Sequence, residues 1–335
     1  MRYQEEKQNT KEGKQVYLDG LKRLISLRQQ AAAKKRNEYC KDIFTEPARY
    51  REDMRRMLGW PLIGQSDAEL PKVSSEKLSD EDGYTVYRMR FEILDGVMLS
   101  GLFFKADGED KKPLVLVQHG GAGTPELISG MYGSTSNYND MLQRVRRHGV
   151  HVFAAQLLLW HESYGVSYDR KAIDAKLKRV GSSIAAVEIY GLTRILDYFE
   201  HQDFVLNFGM VGLSYGGFYT LFTTAIDTRI KTAISCSFYN TRDRITWSDW
   251  TWLNSAEKFD DAEVACLIYP RKLCIEIGTN DQLFDHASGV RSFEKLVSLC
   301  RDVGTDWVDF ISFEGTHEFC KQDLPIERLI KELYK

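Results

Sequence analysis

The rhythm of apolar and polar positions changes twice along the chain. Residues 1–64 are polar, with a sparse helical stripe in which Val16, Leu18, Leu21, Leu24, Ile25 and Leu27 recur at helical spacing. A second helix is predicted from Glu46 to Leu58, stopped by Gly59 before Pro61. This segment has too little apolar content for a core of its own. It reads as an N-terminal helical extension that covers an apolar surface of the same subunit or contributes to a dimer. From Lys72 to Lys105 the pattern turns to short strands, Tyr84 to Ile93 and Val97 to Lys105, parted by the turn residues Asp95-Gly96.

Beyond that point strand-like and helix-like runs alternate through residues 65–335, taken as one domain. Pro113 to Gln118 is short and nearly all apolar, as strands buried on both sheet faces are. A helix over Asp140 to Arg147 leads to the run Val150 to Leu157. Ile184, Val187, Leu192, Ile195, Leu196 and Phe199 keep helical spacing. Phe208 to Leu213, Ile230 to Phe238, Lys272 to Ile277 and Trp307 to Phe313 read as strands. Helices are predicted from Tyr215, from His286 to Cys300 and from Leu324 to Tyr334. Such alternation predicts an α/β fold with a mostly parallel central sheet flanked by helices. About 160–183 has no strand partner in this scheme and reads as a small cap insertion.

Composition narrows the class. The 335 residues carry a net charge of −3 with both signs interleaved, so no phosphate-binding footprint is visible and nucleic acid is not an expected partner. No apolar run is long enough to span a bilayer, and the charged stretch Met1 to Lys14 lacks a signal-like apolar core. The six cysteines are scattered without a C-x-x-C pair. Reduced thiols and a cytoplasmic location are the expectation, with Cys236 and Cys274 acting as small buried hydrophobes.

The chemistry concentrates in Gly212-Leu213-Ser214-Tyr215-Gly216, a G-x-S-x-G pattern. A chain of this length shows one by chance roughly one time in ten, so the setting carries the weight. The motif ends a predicted strand and opens a predicted helix, the elbow that strains a serine backbone and projects its hydroxyl above a sheet. Serine needs a base, and the base needs a carboxylate to fix its tautomer. In α/β-hydrolases these follow in the order Ser, acid, His. Only His286 and His317 lie beyond Ser214, and His317 stands in a loop after a strand. Asp281 follows the strand Lys272 to Ile277, with Asp285 as the second candidate acid. Backbone N–H groups must face the developing oxyanion; Tyr215 supplies one, and Gly121 or Ala122 in the His119-Gly120-Gly121 turn the other. His119 is expected to brace that loop. Trp160, His161 and Trp250 are candidate pocket residues, with core packing as the competing role for the tryptophans.

The glycines of the 121–126 region fail the dinucleotide fingerprint because Glu126 occupies the third position and Pro125 interrupts. No phosphate loop or H-E-x-x-H exists, so neither metal nor cofactor is expected.

The runs QHGGAGTPE (118–126), QLLLWHE (156–162), GLSYGG (212–217), WSDWTW (247–252), YPRKLCIEIGTND (269–281) and FEGTHEF (313–319) resemble the acetyl xylan esterase-like and dienelactone-hydrolase-like bacterial branch of the α/β-hydrolases. The resemblance covers roughly residues 45–335. It implies hydrolysis of a small or carbohydrate-linked carboxylic ester through Ser214, Asp281 and His317. The dienelactone hydrolases proper use cysteine, so Ser214 weakens any carry-over of a lactone substrate. The elbow Ser214 to Phe218 also resembles prolyl oligopeptidase-type peptidases, which carry a propeller domain this chain has no room for. A peptidase or amidase, and a non-catalytic protein retaining the fold, remain the alternatives.

Overall fold

The computed structural model describes residues 2–60, 69–160 and 165–335. Two helices come first, α1 (Lys7–Tyr39) and α2 (Pro47–Leu58). Three strands follow, β1 (Lys72–Glu81), β2 (Tyr84–Leu94) and β3 (Val97–Ala106), then β4 (Lys112–Gln118), α3 (Pro125–Ile128), α4 (Met141–Arg146) and β5 (His151–Ala155). The chain continues through α5 (Arg170–Arg179), α6 (Ile184–Glu200), β6 (Val205–Leu213), α7 (Tyr215–Ile226) and β7 (Ile230–Cys236). It ends with α8 (Asp261–Cys266), β8 (Lys272–Gly278), α9 (His286–Leu299), β9 (Val308–Phe313) and α10 (Leu324–Leu333).

The strands form one sheet ordered β1-β2-β3-β5-β4-β6-β7-β8-β9. Pairs from β5-β4 to β8-β9 are parallel, and β1-β2, β2-β3 and β3-β5 are antiparallel. The mostly parallel sheet predicted from the sequence is therefore present, with an antiparallel flank at its start. Consecutive residues of β4 go to opposite cores. Leu114 and Leu116 face the layer holding α2, α6, α7 and α8, while Val115 and Val117 face α3, α4 and α10. Burial on both faces explains why β4 reads as an uninterrupted apolar run. β1 is the opposite case: it reads KVSSEKLSDE, is largely exposed, and owes its conformation to pairing along β2. Charged side chains suit such an edge because they discourage pairing with another chain.

The N-terminal helices behave differently from one another. Tyr50, Met54 and Leu58 of α2 are fully buried in the core. The α1 stripe is not: every residue from Arg2 to Ala31 is exposed. The expected cover of an apolar surface within the subunit is met by α2 and not by the first three-quarters of α1. No helix among the described residues is long and apolar enough to cross a membrane. All six cysteines are buried and unpaired.

One core residue has a measurable cost. Glu276 on β8 is fully buried, beside Cys236 on β7, and neither carboxylate oxygen has a hydrogen-bond partner. Desolvation raises its pKa to about 8. The unfolded chain ionises near the ordinary glutamate value, so this group favours the fold fully at low pH and loses that contribution as pH rises toward 8. Glu276→Gln keeps the volume and removes the ionisation. Thermal melts should show the variant ~5 °C or more above the parent at pH 8 and close to it near pH 4.5. An equal difference at both pH values would mean that ionisation is not the cause.

Candidate active site

Parallel register gathers the candidate residues along one edge. Gln118 pairs with Gly212, Leu213 with Cys236, Cys236 with Glu276, and Gly278 with Phe313. All of these partners stand at, or within two residues of, the C-terminal ends of β4, β6, β7, β8 and β9. The loops carrying Gly121, Ser214, Asp281 and His317 therefore all leave from the same side of the sheet, where α/β proteins place their sites.

Ser214 occupies the turn between β6 and α7 with φ 61° and ψ −120°. For a non-glycine residue this is a strained conformation of the kind that clusters at functional sites. Its N–H donates to the Cys236 carbonyl at 2.9 Å, which ties the elbow to β7. The flanking glycines are sterically required. A Cβ on Gly216 would meet the Gln118 carbonyl oxygen at 2.1 Å, and one on Gly212 would meet the Gly216 oxygen at 2.2 Å.

His317 and Asp281 meet as the sequence reading expected. His317 Nδ1 is 2.9 Å from Asp281 Oδ2, and the Asp281 side chain is wholly buried. The other carboxylate oxygen accepts the N–H groups of Leu283 and Phe284 at 2.8 and 2.9 Å, which fixes the carboxylate plane. Phe284 lies against the imidazole, ring centroids 5.7 Å apart. The histidine loop is pinned by the Asn137 side chain to the His317 carbonyl, by Asn139 to the Phe319 carbonyl and by the Ser237 hydroxyl to the Glu318 carbonyl. The competing acid has other work: Asp285 caps α9 through the Ser288 N–H and pairs with Arg244. His286 bonds the Ser312 hydroxyl.

The glycine loop after β4 is held from beneath. His119 is fully buried, and burial lowers its pKa to about 4, so the ring is neutral near pH 7. Its Nε2 accepts the Leu157 N–H, which leaves the proton on Nδ1 to donate to the Gly120 carbonyl. The Tyr138 hydroxyl accepts the Gly120 N–H at 2.9 Å. Gly121 packs on the indole of Trp160, where a Cβ would come within 2.9 Å of the ring. Tyr215 opens α7, so its amide N–H has no intrahelical acceptor.

Beside the elbow lies a cavity of about 480 Å³, lined by Trp160, Tyr168, Arg170, Lys171, Tyr215, Trp247 and neighbouring acids. Trp160 lines this cavity, together with Tyr168, Arg170 and Lys171 from the segment that leads into and opens α5. Trp250 does not line that wall. It is 1 % exposed and packed among Tyr215, Phe218 and Phe238, while Trp247 three residues earlier reaches the cavity and stacks parallel to Tyr215. His161 lies outside the described residues.

The sequence reading missed the charged group behind the cavity. Arg170 is buried and donates through all its nitrogens: Nε to Asp249 at 2.7 Å, the terminal nitrogens to both Glu188 oxygens, the Tyr219 hydroxyl and the Leu158 carbonyl. Asp249 in turn accepts the Tyr215 hydroxyl at 2.8 Å. A single guanidinium thus joins the segment before Trp160, the loop of Trp247 and the first turn of α7. Nothing local in the sequence marks it; the partners are 79 and 18 residues away.

No family model matches the chain. The Bacillus subtilis (strain 168) protein named "Putative hydrolase YtaP" is 26% identical over 253 residues, covering 65% of this chain and 81% of its own. Among solved structures, the glucuronoyl esterase from Solibacter usitatus superposes with a TM-score of 0.62 at 15% identity, covering 85% of this chain and 92% of its own. Acetyl xylan esterase 1 from Thermoanaerobacterium sp. JW/SL YS485 gives 0.59 at 15% identity, covering 90% and 98%. Identities this low establish architecture, and with the strand order and the elbow above they make this chain a protein of the α/β-hydrolase fold.

Proposed function

We propose that the protein hydrolyses a carboxylic ester, small or carbohydrate-linked, through an acyl-enzyme on Ser214. The observation that carries this reading is the His317–Asp281 pair, 2.9 Å apart, on loops that share a sheet edge with a strained serine elbow. Esterases among the structures of similar fold support the same class of reaction. The Ser214 hydroxyl attacks the carbonyl carbon as His317 accepts its proton, and Asp281 stabilises the imidazolium. The N–H groups of Tyr215 and Gly121 face the developing oxyanion, with Ala122 as the second choice in that loop. His317 then protonates the leaving alkoxide, and water attacks the acyl-enzyme by the same relay in reverse. No cofactor or metal enters this scheme.

The cavity beside Tyr215 receives the alcohol portion. Trp160 and Trp247 offer ring faces suited to stacking on a sugar, and Lys171 and Asp169 add polar groups at the wall. Six unpaired, buried thiols fit a reducing, cytoplasmic setting. The test is a substrate panel of aryl acetates, longer acyl esters, acetylated sugars and aminoacyl amides, with a fluorophosphonate probe in parallel. The expected result is turnover of short esters, a preference for acetylated sugars over bulky acyl groups, and a probe adduct on Ser214. Cleavage of amides without esters would favour the peptidase reading, and complete inertness toward probe and panel would favour a binding role.

A further inference from the structure

The first helix presents an apolar face that its own subunit leaves bare. Val16, Tyr17, Leu18, Leu21, Leu24, Ile25 and Leu27 are between 37% and 74% exposed. At 100° per residue they fall within one arc of about 200°, and between residues 13 and 32 only Lys14 and Arg28 place a charge on it. Gly13 and Gly20 lie on the same arc, and a Cβ at either would touch nothing in the chain. Those glycines weaken an isolated helix by about 1 kcal/mol each relative to alanine. Helices of this kind draw their stability from packing an amphipathic face. The anchored end is clear: Arg36 pairs with Asp260 and Glu263, Lys35 with Glu257, and Lys295 bonds Asn37. What the exposed three-quarters packs against is absent from the subunit.

We propose that α1 pairs antiparallel with α1 of a second copy, burying this face in a homodimer. The seven side chains expose roughly 700 Å² per chain, close to the ~800 Å² per partner of a standard interface and above the apolar patch a monomer usually tolerates. Charge sets the direction. The first half of the helix is close to neutral, with Glu12 and Asp19 set among Lys7, Lys11 and Lys14 just after Glu5 and Glu6, whereas in the second half Lys22, Arg23, Arg28, Lys34, Lys35 and Arg36 are offset by Glu38 alone. Antiparallel pairing sets the near-neutral half opposite the basic one; parallel pairing sets six cations beside six. The exposed part of α1 spans roughly 37 Å, and an antiparallel pair puts the two globular bodies at opposite ends of it instead of crowding them together. A basic amphipathic helix can also lie on an anionic bilayer; the near-neutral first half and the glycines on the apolar face favour a protein partner.

Sedimentation equilibrium on the full chain at tens of micromolar should give twice the 38.6 kDa chain mass. The variant Leu21→Glu/Leu24→Glu/Ile25→Glu should sediment as a monomer with the parent's ester turnover and near-UV signal, which shows that the body is folded. Zero-length carboxyl–amine cross-linking should join Glu12 to Lys34. One helix separates these residues by about 33 Å, so the link reports two antiparallel chains. A monomeric parent, a dimer untouched by the triple substitution, or cross-links confined to neighbours on one helix would overturn the proposal. So would co-sedimentation of a monomeric parent with phosphatidylglycerol vesicles.

Discussion

Ser214→Ala is expected to lower kcat/KM for a short aryl acetate by ~10⁴-fold to ~10⁶-fold, the range seen when a triad nucleophile is removed. The melting temperature should stay within a degree or two of the parent. Stability is spared because the strain at this position is a backbone property. Alanine carries the same Cβ into the same φ of 61°, and the N–H to Cys236 is unchanged. Asp281→Asn is the matching control. Its oxygen can still accept from Leu283 and Phe284, which preserves the loop, but its amide no longer holds the proton of His317 Nδ1 as the carboxylate does. A fall of ~10⁴-fold is expected there, with fluorophosphonate labelling slowed in proportion. Near-parental turnover by Ser214→Ala would reject the assignment of the nucleophile outright.

The parts of this site legible in the sequence are those written in contiguous residues. The run Phe208 to Leu213 followed by Gly212-Leu213-Ser214-Tyr215-Gly216 encodes a strand, an elbow and a helix within about a dozen positions. Chain order and loop position then favour His317 over His286 and Asp281 over Asp285, and the structure brings His317 and Asp281 within hydrogen-bond distance. Boundaries were recovered to within a few residues wherever an apolar run was bounded by turn residues, as at β4, β6 and α6.

Other features depend on packing that no local pattern records. β1 is polar along its length and becomes a strand because β2 offers it unpaired backbone groups. Trp247 and Trp250 are equivalent in the sequence, yet a three-residue helical turn sends one ring to the cavity and the other into the core. Glu276 sits in the apolar run of β8, where nothing in KLCIEIG signals that its carboxyl will be buried without a partner. The stripe on α1 announced a helix correctly, but periodicity does not say which surface, or whose, a stripe will meet.

Arg170→Met should lower the unfolding free energy by ~3–5 kcal/mol, the cost of leaving buried carboxylates without their cation. One guanidinium faces Glu188 and Asp249, whose side chains are 9% and 2% exposed, so its removal strands two negative groups. Desolvation works against the charge on Arg170, but attraction from Glu188, Tyr219 and Asp249 outweighs it and raises the pKa well above the ordinary arginine value. The residue therefore stays protonated at any working pH. Arg170→Lys should recover little, because an ammonium cannot reproduce a fork that spans Asp249, both Glu188 oxygens and the Leu158 carbonyl. The combination Arg170→Met/Glu188→Gln/Asp249→Asn removes the stranded charges and should restore most of the lost stability in urea titrations. Catalysis should respond differently. Tyr215 and the segment before Trp160 lose a shared anchor even in the combined variant, so its kcat should remain reduced although its fold is regained. A combined variant recovering both stability and full kcat would show that the network supports the fold without positioning the loops around the elbow.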